Sequence, residues 1–153
     1  MISKELRKAL RENNLVVNFG LSTDIIQCKR KKILEIFKKN GFENINQTLI
    51  NFLYFFLDKE FLLVNGFSPP DSIHFKLERS LKITYAVRTI ESDFDLGGLI
   101  PFGMLYREYM NLFIDSGDNV YANMDNILIY YGNNPFDALT NILNNKELER
   151  IEI

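Results

Sequence analysis

Apolar residues recur at intervals of three and four along four stretches of the chain, the spacing that places side chains on one face of an α-helix. The predicted helices cover residues 1–13, 22–40, 46–57 and 83–94. The third stretch is apolar around most of its circumference, so we expect it to form the central buried helix. Asn46 can cap its start, and Asn40 with Gly41 is a typical end for the helix before it.

After Gly98 the apolar period shortens to two, which is the alternation of β-strands. The strands predicted in this part of the chain cover residues 99–105, 109–114, 119–123 and 127–131. Shorter candidate strands lie earlier, at residues 15–19, 61–64 and 72–77. The run DSGD at 115–118 predicts a hairpin turn, because Asp favours the start of a turn and Gly readily adopts a positive φ.

A last helix is predicted from Asn134, which can act as its N-cap, with Pro135 at the first helical position. Helices early in the chain and antiparallel strands later are typical of an α+β fold. We therefore expect N-terminal helices packed on a mainly antiparallel sheet with a C-terminal helix. We expect these elements to form a single domain spanning residues 1–153.

Composition narrows the classes of protein to consider. The 153 residues are 46% hydrophobic and 25% charged, the ordinary balance of a globular domain. One cysteine and one histidine exclude an internal disulfide framework and the usual Cys/His zinc sites. The most apolar run, residues 49–57, is too short to span a bilayer, and no apolar stretch follows the basic N-terminus as in a secretory signal. We expect a cytoplasmic protein with no membrane partner.

The net charge of −2 conceals an uneven distribution. Residues 1–40 carry ten basic and four acidic groups, whereas residues 91–153 carry three basic and eleven acidic groups. The basic cluster at 29–39 is either a nucleic-acid or anionic-membrane surface or a solvated helix face. It lacks the interleaved aromatic residues that stack on bases, which argues against nucleic acid as a partner. The acidic excess fits turn and cap residues, and it equally fits a surface for a basic protein.

Few residues suggest chemistry. The sequence holds no phosphate-binding loop, dinucleotide fingerprint or nucleophile elbow. His74 is expected to be a structural or surface strand residue, and Cys28 an inert helix residue. Asp115 and Asp118 could in principle perform acid–base work, but the tight turn accounts for both. We therefore predict no enzyme activity, no catalytic residue, no metal ligand and no cofactor.

Six of the seven tyrosines lie between residues 85 and 131, among the acidic turns. Tyrosine is enriched at protein–protein interfaces, and it is also favoured in strands, so both interpretations stay open. Tyrosines beside acidic turns favour a binding module over an enzyme. The predicted partner-binding residues are Asp115, Asp118, Asp125, Tyr106, Tyr121 and Tyr131.

The order of short motifs in the later part of the chain carries a family resemblance. The motifs are LIPFG at 99–103, MNLFID at 110–115, GDNVYA at 117–122, ILIYYG at 127–132 and FDALTNIL at 136–143. This order resembles the third group of the SUKH superfamily of immunity proteins, which have the Smi/Knr-like fold. The resemblance is close over about residues 94–143 and looser over about residues 22–93.

The resemblance implies a cytosolic α+β domain without catalytic activity that binds and neutralises a cognate toxin. Such toxins are often nucleases or deaminases of polymorphic or contact-dependent systems, encoded beside their immunity protein. We expect the chain to occlude the active site of a basic toxin, with tyrosines as anchors and acidic groups at the rim. Three alternatives stay open: a regulatory or scaffold protein of this fold that binds another host protein, a nucleic-acid-binding module using the basic helix 29–39, and an enzyme using carboxylates.

Overall fold

The helices of the protein lie before its strands and between them. The structure, a computed structural model, describes residues 2–63, 71–106 and 108–153, apart from the side chains of residues 84 and 85. The helices in these ranges are α1 (Lys4–Glu12), α2 (Thr23–Lys39), α3 (Gln47–Phe56), α4 (Leu77–Ser80), α5 (Thr84–Asp93) and α6 (Pro135–Leu143). A short 3₁₀ turn, Leu81–Ile83, joins α4 to α5. None of these helices is long and apolar enough to cross a bilayer.

The strands of the described residues form one seven-stranded sheet. They are β1 (Glu60–Leu63), β2 (Asp71–His74), β3 (Ile100–Leu105), β4 (Met110–Ile114), β5 (Val120–Met124), β6 (Ile127–Gly132) and β7 (Glu149–Glu152). The strands pair in sequence order, and every neighbouring pair is antiparallel. The predicted α+β class, with helices on an antiparallel sheet, is confirmed.

The two faces of the sheet pack against different helices, because successive side chains of a strand point to opposite faces. On the first face, Leu112 and Ala122 belong to the main core with residues of α1, α3 and α6. On the second face, Phe113 and Tyr121 meet Val87 and Ile90 of α5. The side chains of β7, at the edge of the sheet, are exposed. The second face is therefore covered over β4 by α5, whereas the side chains of β7 are exposed.

Two glycines of the resemblance motifs stand where the backbone packs too closely for a side chain. A Cβ atom at Gly103 would lie 2.8 Å from the carbonyl oxygen of His74 on the neighbouring strand and 3.1 Å from Leu112. A Cβ atom at Gly132 would lie 3.0 Å from the backbone nitrogen of Ala138 in α6. Such distances are shorter than ordinary van der Waals contact, so both positions favour glycine.

The structure corrects the strand predictions in three places. The strand predicted over 15–19 is wrong: Val16 is 94% exposed between partly buried neighbours, but this segment pairs with no strand of the described chain. The strand predicted over 72–77 runs from Asp71 to His74, since α4 begins at Leu77; the N–H of Phe75 still donates to the carbonyl of Lys59 and continues the pairing just beyond the strand. The last residue of the strand predicted over 61–64 lies outside the described residues. Finally, β7 falls in a segment where no strand was predicted.

Candidate interaction surface

Asp115 organises the turn between β4 and β5. Its Oδ1 accepts hydrogen bonds from the backbone N–H groups of Gly117 and Asn119, both at 2.9 Å. Its Oδ2 accepts a bond from Nδ2 of Asn119 at 3.2 Å. Asp118, in the same turn, has a φ of +69°, a left-handed conformation that Asp tolerates better than most residues. Both aspartates therefore serve the predicted turn, and the Asp115 carboxylate already has partners within the protein.

Asn46 ties this turn to the helices on the first face. It stands at the N-cap position of α3, but its side chain makes no capping bond to the helix, contrary to the prediction. Instead its Nδ2 donates to the carbonyl oxygen of Asp115 at 2.9 Å and to Oδ1 of Asp118 at 2.7 Å. The side-chain amide of Asn46 therefore links the start of α3 to the turn between β4 and β5.

Two tyrosines continue the network from the turn onto the second face of the sheet. Tyr121 on β5 and Tyr130 on β6 are directly opposite in register, and their ring centroids are 5.5 Å apart. The Tyr121 hydroxyl donates to Oδ2 of Asp115 at 3.4 Å. The Tyr130 hydroxyl donates to Oδ1 of Asn119 at 3.2 Å. Because Asn119 also bonds Asp115, the four side chains form a closed set of contacts.

Negative charge surrounds this tyrosine pair. Burial, followed by the nearby charge of Asp115, raises the pKa of Tyr121 to about 12, and Glu149 adds to the effect. Glu149 is an exposed residue of β7 directly opposite Tyr130 in register. The Tyr121 phenol therefore stays protonated at neutral pH and keeps its hydrogen-bond donor. We call Asp115, Tyr121, Tyr130 and Glu149 the acidic tyrosine patch.

A groove of about 430 Å³ adjoins the patch and shares Tyr130 with it. Its other lining residues include Glu5 of α1, Asp137 and Asn141 of α6, and Leu148 just before β7. Two carboxylates in a groove with polar and apolar walls suit a long cationic side chain, whose stem can pack while its head meets the negative charge. Apart from Tyr130 and Leu148, this lining comes mostly from α1, α6 and the segment that leads into α6.

Of the other four predicted site residues, Asp118 belongs to the turn beside the patch and the remaining three lie away from it. Tyr131 is only 1% exposed, because alternation along β6 turns it to the core face while Tyr130 faces the other way. Its hydroxyl lies 3.5 Å from that of the half-buried Tyr106, and burial raises the pKa of Tyr131. The structure therefore excludes Tyr131 as an exposed anchor. Asp125 is exposed in the β5–β6 turn, at the opposite end of β5 from Asp115.

Two members of the patch, Tyr130 and Glu149, are absent from the residues predicted from the sequence. Tyr130 could have been found, because a two-residue turn at 125–126 sets Tyr121 opposite Tyr130. Glu149 reaches the patch through the pairing of β7 with β6, and no periodic signal in the sequence indicates β7.

His74 is the centre of a second polar cluster. Its Nε2 lies 3.1 Å from Oε1 of Glu108, and that carboxylate also accepts a bond from Nε of Arg79 at 2.8 Å. Its Nδ1 accepts the backbone N–H of Lys76 at 3.2 Å. Burial lowers the pKa of His74, and Glu108 opposes this effect. Both ring nitrogens are occupied and the ring is buried, so a substrate could not reach this imidazole.

The basic helix uses several of its charges within the fold. Lys29 donates to the carbonyl oxygen of Tyr54 at 2.7 Å, and Arg30 to Oε1 of Gln47 at 3.1 Å. Lys32 pairs with Asp58 at 3.3 Å. Burial lowers the pKa of Lys29, with smaller contributions from neighbouring lysines. These contacts favour the interpretation of this cluster as a solvated helix face.

Metal-ligating side chains and related proteins give no further indication of function. Within residues 2–63, 71–106 and 108–153, no three His, Cys, Asp or Glu side chains are grouped so that they could hold a metal ion. Cys28 is an exposed residue of α2. Comparison of the chain with protein families, with curated proteins and with solved structures finds no match.

Proposed function

We propose that this chain is a non-catalytic immunity protein that binds a basic cognate toxin through the acidic tyrosine patch and covers the toxin's active site. The observation that carries the proposal is the patch itself: two half-buried tyrosines in contact, bounded by Asp115 and by the exposed Glu149. The motif resemblance to SUKH immunity proteins supplies the class of partner, a toxin that acts on nucleic acid or nucleosides.

The patch has the physical features of a binding anchor. Tyrosines dominate the energy of many interfaces because they bury a large area and keep a polar tip. Here the bonds to Asp115 and Asn119 fix both rings before a partner arrives, which lowers the entropy lost on binding. A rigid aromatic pair on an antiparallel sheet is therefore ready to bind without rearrangement.

The surrounding charge selects the kind of partner. A toxin that handles nucleic acid carries basic groups around its active site, and those groups would face Glu149 and the carboxylates of Glu5 and Asp137 in the adjoining groove. Complementary charge mainly accelerates association and rejects partners of the same sign. Occlusion of a toxin requires no catalytic side chain in this protein. It is therefore compatible with the hydrogen bonds that already engage His74 and Asp115 within the fold.

Charge reversal at one exposed position tests the proposal against the protein encoded by the neighbouring reading frame. Glu149→Lys should slow association with that protein by about tenfold, because a rim charge acts chiefly on the on-rate. Tyr130→Ala should weaken binding by about 2 kcal/mol through faster dissociation, as expected for a central aromatic anchor. Both constants are measured by surface plasmon resonance at low and at physiological salt.

Asp125→Lys provides the matched control, because Asp125 is also an exposed acidic residue but lies at the far end of β5. It should leave both rate constants close to those of the wild type. If Glu149→Lys and Tyr130→Ala bind as tightly and as fast as the wild type, the patch is not the interface and the proposal fails.

A further inference from the structure

β7 is the last strand of the sheet, and no strand of the described residues pairs with its outer edge. The N–H of Ile153 bonds to the carbonyl oxygen of Asn126 at 3.0 Å, and Ile151 stands opposite Leu128 in the same ladder. In an antiparallel ladder the residues that bond one neighbour alternate with residues whose N–H and C=O point away from it. Arg150 and Glu152 therefore direct their backbone groups outward, where a further strand can pair with them.

Charge limits the registers in which a second β7 could pair with this edge. If the two strands run antiparallel with Ile151 opposite its own copy, Arg150 stands opposite Glu152 of the other chain, on both sides of the two-fold axis. A slip by two residues in one direction places Arg150 opposite Arg150, and in the other direction Glu152 opposite Glu152. Opposite charges across a strand pair stabilise it and like charges destabilise it. One register alone therefore satisfies both the backbone and the charges.

The same register covers apolar side chains that the single chain exposes. Ile151 is 39% exposed and Ile153 is 60% exposed. In the paired strands Ile151 would meet its copy at the axis, and Ile153 would lie beside Glu149 of the other chain. The edge carries no proline, and its charges are placed so that they attract a second copy in this register, although charges usually protect an edge strand.

We infer that two copies of the chain associate through antiparallel pairing of β7, centred on Ile151, which joins their sheets into one. The occupant of this edge is a second copy of the same chain, chosen by the Arg150–Glu152 complementarity. A contact confined to one short strand is typical of a weak dimer, with a dissociation constant between about 10 µM and about 1 mM. The inference does not rest on the proposed toxin binding.

Charge swapping tests the register in sedimentation equilibrium of the full chain. Arg150→Glu and Glu152→Arg should each weaken dimerisation by about tenfold, because each places like charges opposite one another. The double variant Arg150→Glu with Glu152→Arg should restore the wild-type dimer. Arg11→Glu and Glu35→Arg, exposed charge reversals on α1 and α2, should leave the equilibrium unchanged. Arg150 also bonds Glu147 within the chain, so rescue by the double variant separates pairing from a local structural effect.

Disulfide trapping provides a second readout that does not depend on the strength of the dimer. In a Cys28→Ser chain, Ile151→Cys should oxidise to a covalent dimer, because the Cα atoms of a pair on the axis lie at a distance that a disulfide spans. Leu148→Cys, an exposed control position beyond the predicted pairing, should stay monomeric. A wild-type chain that remains monomeric at about 1 mM, a double variant that is no more dimeric than the single ones, or equal trapping at 148 and 151 would each overturn the inference.

Discussion

His74 shows at the scale of one residue how surroundings fix a protonation state. Its Nδ1 accepts the backbone N–H of Lys76, so the ring proton belongs on Nε2, where it is donated to Glu108. Burial lowers the pKa of the imidazole, and the charge of Glu108 opposes that shift without cancelling it. We expect His74 to be neutral at physiological pH and to act as a structural link between β2 and the segment before β4.

The imidazole of His74 is the only one in the chain, so its titration can be followed by NMR without ambiguity. We predict a pKa below its ordinary value of 6.5, and a further decrease in Glu108→Gln, which removes the opposing charge. Since the folded-state pKa is the lower one, the stability from His74 is present above pH 6.5 and is lost as the pH falls through the folded-state pKa. A folded-state pKa at or above 6.5 would contradict this account.

At the scale of elements, the sequence predicts the hairpins better than the edges. The β4–β5 turn carries Asp and Gly and the β5–β6 turn Asp and Asn, all residues that favour turns, and the strands around them alternate. Residues 15–19 form a short apolar run that alternates between half-buried and exposed positions, yet they cover the core without joining the sheet, because apolar character indicates a buried segment and not its pairing. The strand β7 is short and mostly charged, and it becomes a strand only because β6 offers it an open edge.

The prediction at this scale concerns Gly103. Because glycine has no Cβ atom, β2 and β3 can pack closely at this position. Gly103→Ala should destabilise the protein by about 1–3 kcal/mol in urea unfolding, because the added carbon meets the backbone oxygen of His74 at 2.8 Å. Gly97→Ala is the control, since a Cβ there has nothing within 4 Å, and it should change stability by less than about 0.5 kcal/mol. Equal stability of the two variants would contradict this prediction, because it would mean that β2 and β3 can move apart at little cost in free energy.

On the scale of the whole molecule, the interaction surface depends on register, which a single sequence specifies poorly. Asp115, Asp118 and Tyr121 meet at one end of the sheet as their closeness in sequence suggests. Tyr131 faces the core and Tyr130 the second face, because neighbouring residues of β6 alternate between the two faces; which of the two meets Tyr121 depends on the β5–β6 register. The bond from Asn46 to the turn joins residues 72 positions apart, and only the packed fold brings them together.

The basic and acidic parts of the chain also differ in how their side chains are used in the folded molecule. Lys29 and Arg30 bond to neutral oxygens of α3 and Lys32 pairs with Asp58, so several cations of α2 already have partners within the molecule. Acidic residues of the later part remain at the surface, where Glu149 borders the tyrosine pair. This difference favours a basic protein partner over nucleic acid, since phosphate groups need free cationic side chains.

The central claim, that the chain works by covering a toxin with the acidic tyrosine patch, is tested most directly by a growth-rescue measurement. Cells expressing the product of the neighbouring reading frame are grown with the wild-type chain, with the double variant Tyr130→Ala and Glu149→Lys, or with Asp125→Lys. The account predicts toxicity that the wild type and Asp125→Lys relieve and that the double variant, still folded, does not. Growth that none of these chains restores, or that the double variant restores as fully as the wild type, would contradict it.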